Sequence, residues 1–181
     1  MRFWCCLIIL SLFIARPVAA GALFTEDAVF GAAAQGDSAA VEEYLLTGNN
    51  PNIRDSKKVP LLLYAAMAGN PKTIRALIQH RARLDLRDAL GNSALIQSAA
   101  YGSIAVTKIL IDNGARVNEE NRQGETALIK AAKNGHLAVV QILLDNGADP
   151  AISDFTGRTA LDHATQNRQP EIAHLLMKVS S

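Results

Sequence analysis

Apolar residues along the chain recur at helical spacing in pairs of short runs that are separated by glycine. In the stretch GETALIKAAKNGHLAVVQILLDNGADP, which begins at residue 124, the first run covers residues 127–132 and the second covers residues 137–144. Apolar positions three and four residues apart share one face of a helix, so each run predicts a short helix. The second run is apolar on most sides, including Leu137, and predicts a largely buried helix. Asn134-Gly135 predicts the turn between them, because glycine tolerates the left-handed conformation that closes a helix.

The same pattern returns at a fixed interval along the chain. Gly-x-Ser/Thr-Ala-Leu segments begin at residues 91, 124 and 157, and further steps of the same size back reach Lys58 and an incomplete copy with Ala32-Ala33 and Gly36. Periods of this size are typical of stacked supersecondary units. The sequence therefore predicts one domain over residues 21–181, with about five copies that cover residues 25–57, 58–90, 91–123, 124–156 and 157–181.

Hydroxyl residues precede the first helix of three copies. Ser93, Thr126 and Thr159 stand where an N-cap is needed, because the first backbone N–H groups of a helix have no partner inside it. A polar Asp/Asn-x-x-Gly segment before each cap predicts a turn, at residues 88–91, 121–124 and 154–157.

Two copies depart from this pattern. In the second copy Pro60 replaces the cap hydroxyl and Arg81 replaces the glycine after the second helix, so we expect this copy to be the least regular. In the last copy Arg168 takes the place of the glycine between the helices. Its other polar residues predict the outer face of a terminal copy, which no further copy covers: Asp162, Gln166, Asn167, Gln169, Glu171 and Lys178.

The repeating frame resembles the ankyrin repeat. Gly-x-Thr-x-Leu, Ala-Ala, Gly-His, Leu-Leu and Gly-Ala-Asp follow one another in that family's order over nearly all of the chain beyond residue 24. The resemblance implies an all-α solenoid of helix-turn-helix repeats joined by β-hairpin-like loops. It also implies a non-catalytic module that holds a protein partner on a concave face made of the loop tips and the first helices. The family's Thr-Pro-Leu-His is replaced by segments such as Thr126-Ala127-Leu128-Ile129, so we expect some loss of rigidity.

The frame leaves certain positions on that face free for recognition. Lys130 and Lys133 share one side of the first helix of the fourth copy, and the pairing of the helices does not require them. Leu90 and Phe155 stand at turn tips, where they either anchor a partner or fold back onto their own copy. Asn92, Glu125 and Asn134 are further free positions. The partner-binding residues predicted in this way are Tyr64, Met67, Leu90, Tyr101, Arg122, Lys130, Lys133, Phe155 and Arg158, and together they suit a partner with an acidic, partly apolar surface.

The segment 1–20 predicts a secretory signal peptide. Arg2 gives a positive start, residues 3–14 are apolar except for Ser11, and small residues at positions 18–20 suit a signal peptidase. We expect cleavage after Ala20 or, as a second choice, after Ala22. A retained membrane anchor is the alternative, although about 20 apolar residues are needed to cross a bilayer.

The composition of the chain argues against several further classes of function. Both cysteines, Cys5 and Cys6, lie in the leader, so the mature chain would have no thiol. Removal of Arg2 and Arg16 leaves 16 basic residues against 17 acidic ones, which does not favour binding to nucleic acid or to an anionic membrane. The four histidines lack the spacing of a zinc protease, although His163 and His174 could be neighbours in the last copy. We expect a monomer with no metal, cofactor or stable membrane insertion.

Three classes of function remain open. The first is an exported protein-binding module, periplasmic or secreted. Its resemblance to small periplasmic ankyrin proteins implies support or protection of a catalase under oxidative stress. The second is an immunity or inhibitor protein that neutralises a toxin in the same compartment. The third is an enzyme, for which the sequence offers no catalytic constellation.

Overall fold

The protein is a stack of helix pairs. A computed structural model describes residues 26–179, and the predicted leader lies outside them. In chain order, the described helices α1 to α10 are Glu26–Gln35, Ser38–Leu46, Leu61–Ala68, Pro71–Gln79, Ala94–Ala100, Ile104–Asp112, Ala127–Lys133, Leu137–Asp145, Ala160–Gln166 and Pro170–Val179. The second helices of the copies begin at one constant interval, at positions 38, 71, 104, 137 and 170. Residues 26–179 contain no strand beyond two isolated bridges at turn tips. The predicted all-α repeat solenoid is confirmed.

Local capping begins the first helices as predicted. The hydroxyls of Ser93 and Thr126 accept hydrogen bonds from the backbone N–H groups three positions later, at 3.3 Å. Thr159 does the same, and the Asp162 carboxylate accepts the Thr159 N–H in return, which makes a capping box. The three predicted N-caps are confirmed.

Like helices pack on like helices from copy to copy. First helices form one row, α1, α3, α5, α7 and α9, and second helices form another behind it. The small Ala131 and Ala132 are fully buried in α7, while Leu143 is the fully buried leucine of α8. Leu137, the first residue of α8, remains 37% exposed because it lies at the turn. The prediction that Leu137 belongs to the buried stripe is therefore wrong.

The second copy keeps its helices in register despite its departures. Pro60 caps α3 without a side-chain hydrogen bond, and α3 still begins at the same place in the repeat frame as α5. Arg81 and Arg168 adopt the left-handed backbone of the glycines that they replace, with φ of +65° and +56°. The predicted irregularity of the second copy is confined to single residues: its helices are regular, but Lys58 and Arg81 both have left-handed φ.

The outer face of the last copy is polar only in part. Arg158, which precedes α9, donates to the side chain of Gln166 at the end of that helix. Beside this polar edge lies an open groove whose apolar lining comes from Ala164, Pro170, Ala173 and Met177. The predicted polar cap is therefore incomplete.

A candidate protein-binding face

The first residue of each turn tip stabilises that turn through its polar side chain. One side-chain oxygen of this residue accepts the backbone N–H groups of the residues two and four positions later. The residues that act in this way recur once per copy and are Asp55, Asp88, Asn121 and Asp154. Because these side chains bind their own tips, the acids at the tips turn inward.

Successive tips are also joined to one another. The Arg122 N–H donates to the Leu90 carbonyl at 3.0 Å, and the Phe155 N–H donates to the Gln123 carbonyl at 2.9 Å. A Cβ on Gly124 would lie 2.6 Å from the Phe155 ring, so only glycine allows this approach. We call residues 56–58, 89–91, 122–124 and 155–157, which are exposed except for Gly91 and Gly124, the tip ridge.

In α3 and α5, one side chain contacts the tip residue that precedes the helix. The Tyr64 hydroxyl donates to Asp55 at 2.7 Å, and the Gln97 amide donates to Asp88 at 3.2 Å, in each case across nine positions of the chain. Tyr64 also packs against Phe30 of the first copy, with ring centroids 5.6 Å apart. Tyr64 is therefore held inside the fold and is only partly available to a partner.

In the fourth copy, Lys130 occupies the position nine places after the tip residue, Asn121. Asn121 carries no charge and its side-chain oxygen already accepts two backbone N–H groups, and Lys130 forms an ion pair with Glu125 instead. Lys133 reaches the second carboxylate oxygen of Glu125 at 3.2 Å. Glu125 is only 4% exposed and also accepts from the Asn121 amide. The prediction that Lys130, Lys133 and Glu125 are free positions is wrong, and the role of the two lysines in binding stays a prediction.

The charge of Glu125 is stabilised by these contacts. Burial by itself raises the pKa of this carboxyl, but hydrogen bonds from Lys130 and Asn121 and the charge of Lys130 outweigh it, and the net pKa lies below its usual value. Glu125 is therefore ionised at neutral pH and neutralises much of the positive charge that the two lysines would offer a partner.

In the last tip, which begins at Asp154, the side chain nine positions later is a histidine, and it too contacts the tip residue. The His163 Nε2 lies 2.8 Å from Asp154 Oδ2, and both side chains are buried. Burial raises the pKa of Asp154, but hydrogen bonds from Thr156, His163 and the Arg158 N–H reverse this and hold the pKa well below its usual range. His163 is thus engaged by Asp154, while His174 lies exposed on α10.

Two more predicted positions are partly engaged, and one predicted free position is buried. Arg158 donates to Thr156 and Gln166, both at 2.8 Å. Met67 is half-buried on α3. Asn92 is buried, and its amide lies between Asp88 and Asn121. The prediction that Asn92 is free is wrong.

Four predicted positions do present their side chains to solvent. Leu90 is 58% exposed, Tyr101 is 55% exposed and Phe155 is 73% exposed. Arg122 is exposed on the tip between Leu90 and Phe155, and no carboxylate of residues 26–179 forms an ion pair with it. The Phe155 ring leans on Gly124, the first residue of its own copy, and most of the side chain still remains exposed. The role of these residues in binding stays a prediction.

The described residues offer no assembled metal site. Between residues 26 and 179, no group of three or more His, Cys, Asp or Glu side chains is placed to hold a metal ion. His136 lies with Nε2 3.0 Å from the Ala100 carbonyl of the preceding copy, which is a contact between copies. Within the same span, the helices are too short or too polar to cross a bilayer.

Sequence reasoning missed the contacts between helix and tip, although a signal was present. The tip residues recur once per copy, and a polar side chain follows each of them by nine positions, at 64, 97, 130 and 163. The signal is visible only when the copies are aligned and the ninth position is compared with the tip residue.

The repeats match known families over most of the chain. A family model described as ankyrin repeats in three copies matches residues 29–121, and one described as ankyrin repeats in many copies matches residues 110–164. No curated protein matches the chain. The first of these models alone covers more than half of the sequence, and the helix pairs, caps and tips agree with it. The chain therefore belongs to the ankyrin repeat family, whose repeats form protein-binding modules.

Proposed function

We propose that this protein is an exported, non-catalytic module that holds a protein partner on the tip ridge and the adjoining first helices. The observation that carries the proposal is the exposure of Leu90, Tyr101 and Phe155 on adjacent copies. Large apolar and aromatic side chains dominate the energetics of protein interfaces. Tyr101 is the C-cap of α5. Because α5 is only about 10 Å long, one partner can contact both Tyr101 and the tips.

Export is supported by the start of the sequence. The apolar run of residues 3–14, followed by small residues up to Ala20, is typical of a cleaved leader. The chain beyond Cys6 has no cysteine, which suits an oxidising compartment such as a periplasm. Within that compartment, we propose that the partner is an enzyme that the module supports or protects under oxidative stress, such as a catalase.

Site-specific photocrosslinking in the exporting cell tests the binding proposal. Phe155 is replaced by a photoreactive phenylalanine analogue, and Leu46, which is 72% exposed on the first copy, is replaced in a matched control. We expect one abundant adduct from position 155 that is weak from position 46 and is reduced by Tyr101→Ala.

The identity of the adduct then decides the biological role. A catalase in the adduct supports the protective role, whereas a secreted toxin supports an immunity role. Equal labelling of many proteins from both positions would contradict the proposal that the tips form a specific interface.

A further inference from the structure

The tip ridge differs in charge from the rest of the molecule. Its exposed side chains include Lys57, Lys58 and Arg122 together with Leu90 and Phe155, and none of its positions carries an acid. The acids that begin the tips lie beneath the ridge, where the backbone N–H groups of the tips bind them. At the tips, therefore, the carboxylates are bound by the backbone and are buried or half-buried, while the cations are exposed.

The cations of the ridge differ from the lysines of the first helix. Lys130 and Lys133 share the buried carboxylate of Glu125, so the fold already satisfies them. Arg122 has no such partner among the described residues, and its alkyl chain lies over Gly91 of the preceding tip. An exposed acid, Glu120, lies two positions before Arg122, but it stands at the base of the tip, where its carbonyl accepts the Arg87 side chain. Among the cations of the tips and the first helices, those without a carboxylate partner are thus at the tips.

We infer that the tip ridge recognises an acidic segment of the partner in which apolar side chains flank a carboxylate. This inference rests on the proposed function and names the chemistry of its partner. Arg122 stands on the tip between those of Leu90 and Phe155, and backbone hydrogen bonds fix the three tips side by side. A guanidinium between two apolar side chains matches a carboxylate between two apolar side chains, because complementary charge steers association while apolar contacts supply affinity.

A selection from random dodecapeptides, displayed on phage and applied to the purified mature chain, tests this chemistry without knowledge of the partner. We expect the retained peptides to be enriched in Asp or Glu next to Leu, Phe or Trp. The best peptide is then synthesised with a fluorescent label, and its dissociation constant is measured by anisotropy at low and high salt. We expect weaker binding at high salt.

Three variants locate the site. Arg122→Glu should weaken binding of that peptide by about tenfold or more, because it places like charges opposite each other. Lys108→Glu makes the same charge change at an exposed position of α6 and should leave the dissociation constant within about twofold. Arg75→Glu, a charge reversal at an exposed position of α4, should likewise leave the dissociation constant within about twofold. Circular dichroism checks that each variant is folded.

The outcomes separate this inference from the proposed function. Selected peptides without an excess of acids, an absence of selected peptides, or equal loss of binding in Arg122→Glu and Lys108→Glu would overturn the inference. If position 155 still crosslinks one partner and Arg122→Glu does not reduce that adduct, the binding function stands and the acidic partner is wrong. If position 155 crosslinks no specific partner, the proposed function itself fails.

Discussion

The side chain nine positions beyond each tip residue determines what a first helix can offer a partner. Tyr64, Gln97 and His163 each contact the acid of their own tip, and Lys130 contacts Glu125 instead. These contacts connect the tips to the helices and withdraw polar groups from the surface. On this face, Leu90, Tyr101, Arg122 and Phe155 remain exposed.

Glu125 provides a first test at the residue scale. Glu125→Gln removes the charge that Lys130 and Lys133 share but keeps the size of the side chain. Hydrogen bonds to charged groups contribute about 1.5–3 kcal/mol, and partial exposure of the lysines screens this pair. We expect the free energy of unfolding in urea to fall by about 1–2 kcal/mol. Glu42→Gln on the exposed side of α2 is the matched control, and an equal loss in both variants would contradict a special role for Glu125.

Asp154 predicts how stability depends on pH. Its pKa in the folded protein is lower than in the unfolded chain, so its contribution to stability is present above about pH 4 and is lost as the pH falls further. We expect the free energy of unfolding to decrease between about pH 5 and pH 3, and Asp154→Asn to make this decrease smaller. Asn121 shows that an amide can close a tip. Asp112→Asn, a change at an exposed position, is the matched control, and identical profiles for the wild type and Asp154→Asn would refute the prediction.

At the scale of the helix, the sequence predicted those features that depend on neighbouring residues in the chain, namely the caps and the turns. The caps at Ser93, Thr126 and Thr159 and the turn at Gly135 depend on residues a few positions away, so they could be found from one copy. The ion pairs of Lys130 and Lys133 could not be found from the helix alone, since their carboxylate precedes the N-cap and is buried only once the copies stack. The same limit explains why surface positions were harder to predict than helices.

The buried second helices should be sensitive to cavities. Leu143→Ala removes a fully buried side chain from α8, and we expect it to lower the free energy of unfolding by about 2–5 kcal/mol. Leu46→Ala, a change at an exposed position of α2, should cost less than about 0.5 kcal/mol. Urea titrations of both variants provide the comparison, and similar losses would show that α8 is not part of the cooperative core.

Backbone strain in the second copy predicts a stabilising substitution. Arg81 has φ of +65°, a conformation that costs most residues about 1–2 kcal/mol and glycine very little. Because glycine also loses more entropy on folding, we expect Arg81→Gly to raise the free energy of unfolding by up to about 1 kcal/mol. Arg75→Gly, inside α4, should have the opposite sign and lower it by about 1 kcal/mol. A decrease in both variants would mean that the Arg81 side chain stabilises the fold.

At the scale of the whole molecule, processing and redox behaviour can be tested together. We expect the mature protein from the exporting cell to begin at Gly21 or Leu23, because the small-residue sites end at Ala20 and Ala22. The mature chain then has no cysteine, so its melting temperature should not change when a thiol reductant is added. N-terminal sequencing by mass spectrometry and a thermal melt check both points. An intact N-terminus on membrane-bound protein would favour the retained anchor.

The apolar groove on the last copy has a consequence for how a repeat chain of this kind can become longer. Ala164 and Ala173, which line it, occupy the same places in their copy as Ala131 and Val140 do in the fourth, which the fifth copy covers. In genetic terms, the groove marks a position where a tandem duplication of one repeat unit could be accommodated, because each copy contacts only its neighbours. A single recombination event could thus add a copy and lengthen the row of tips without changes elsewhere in the stack.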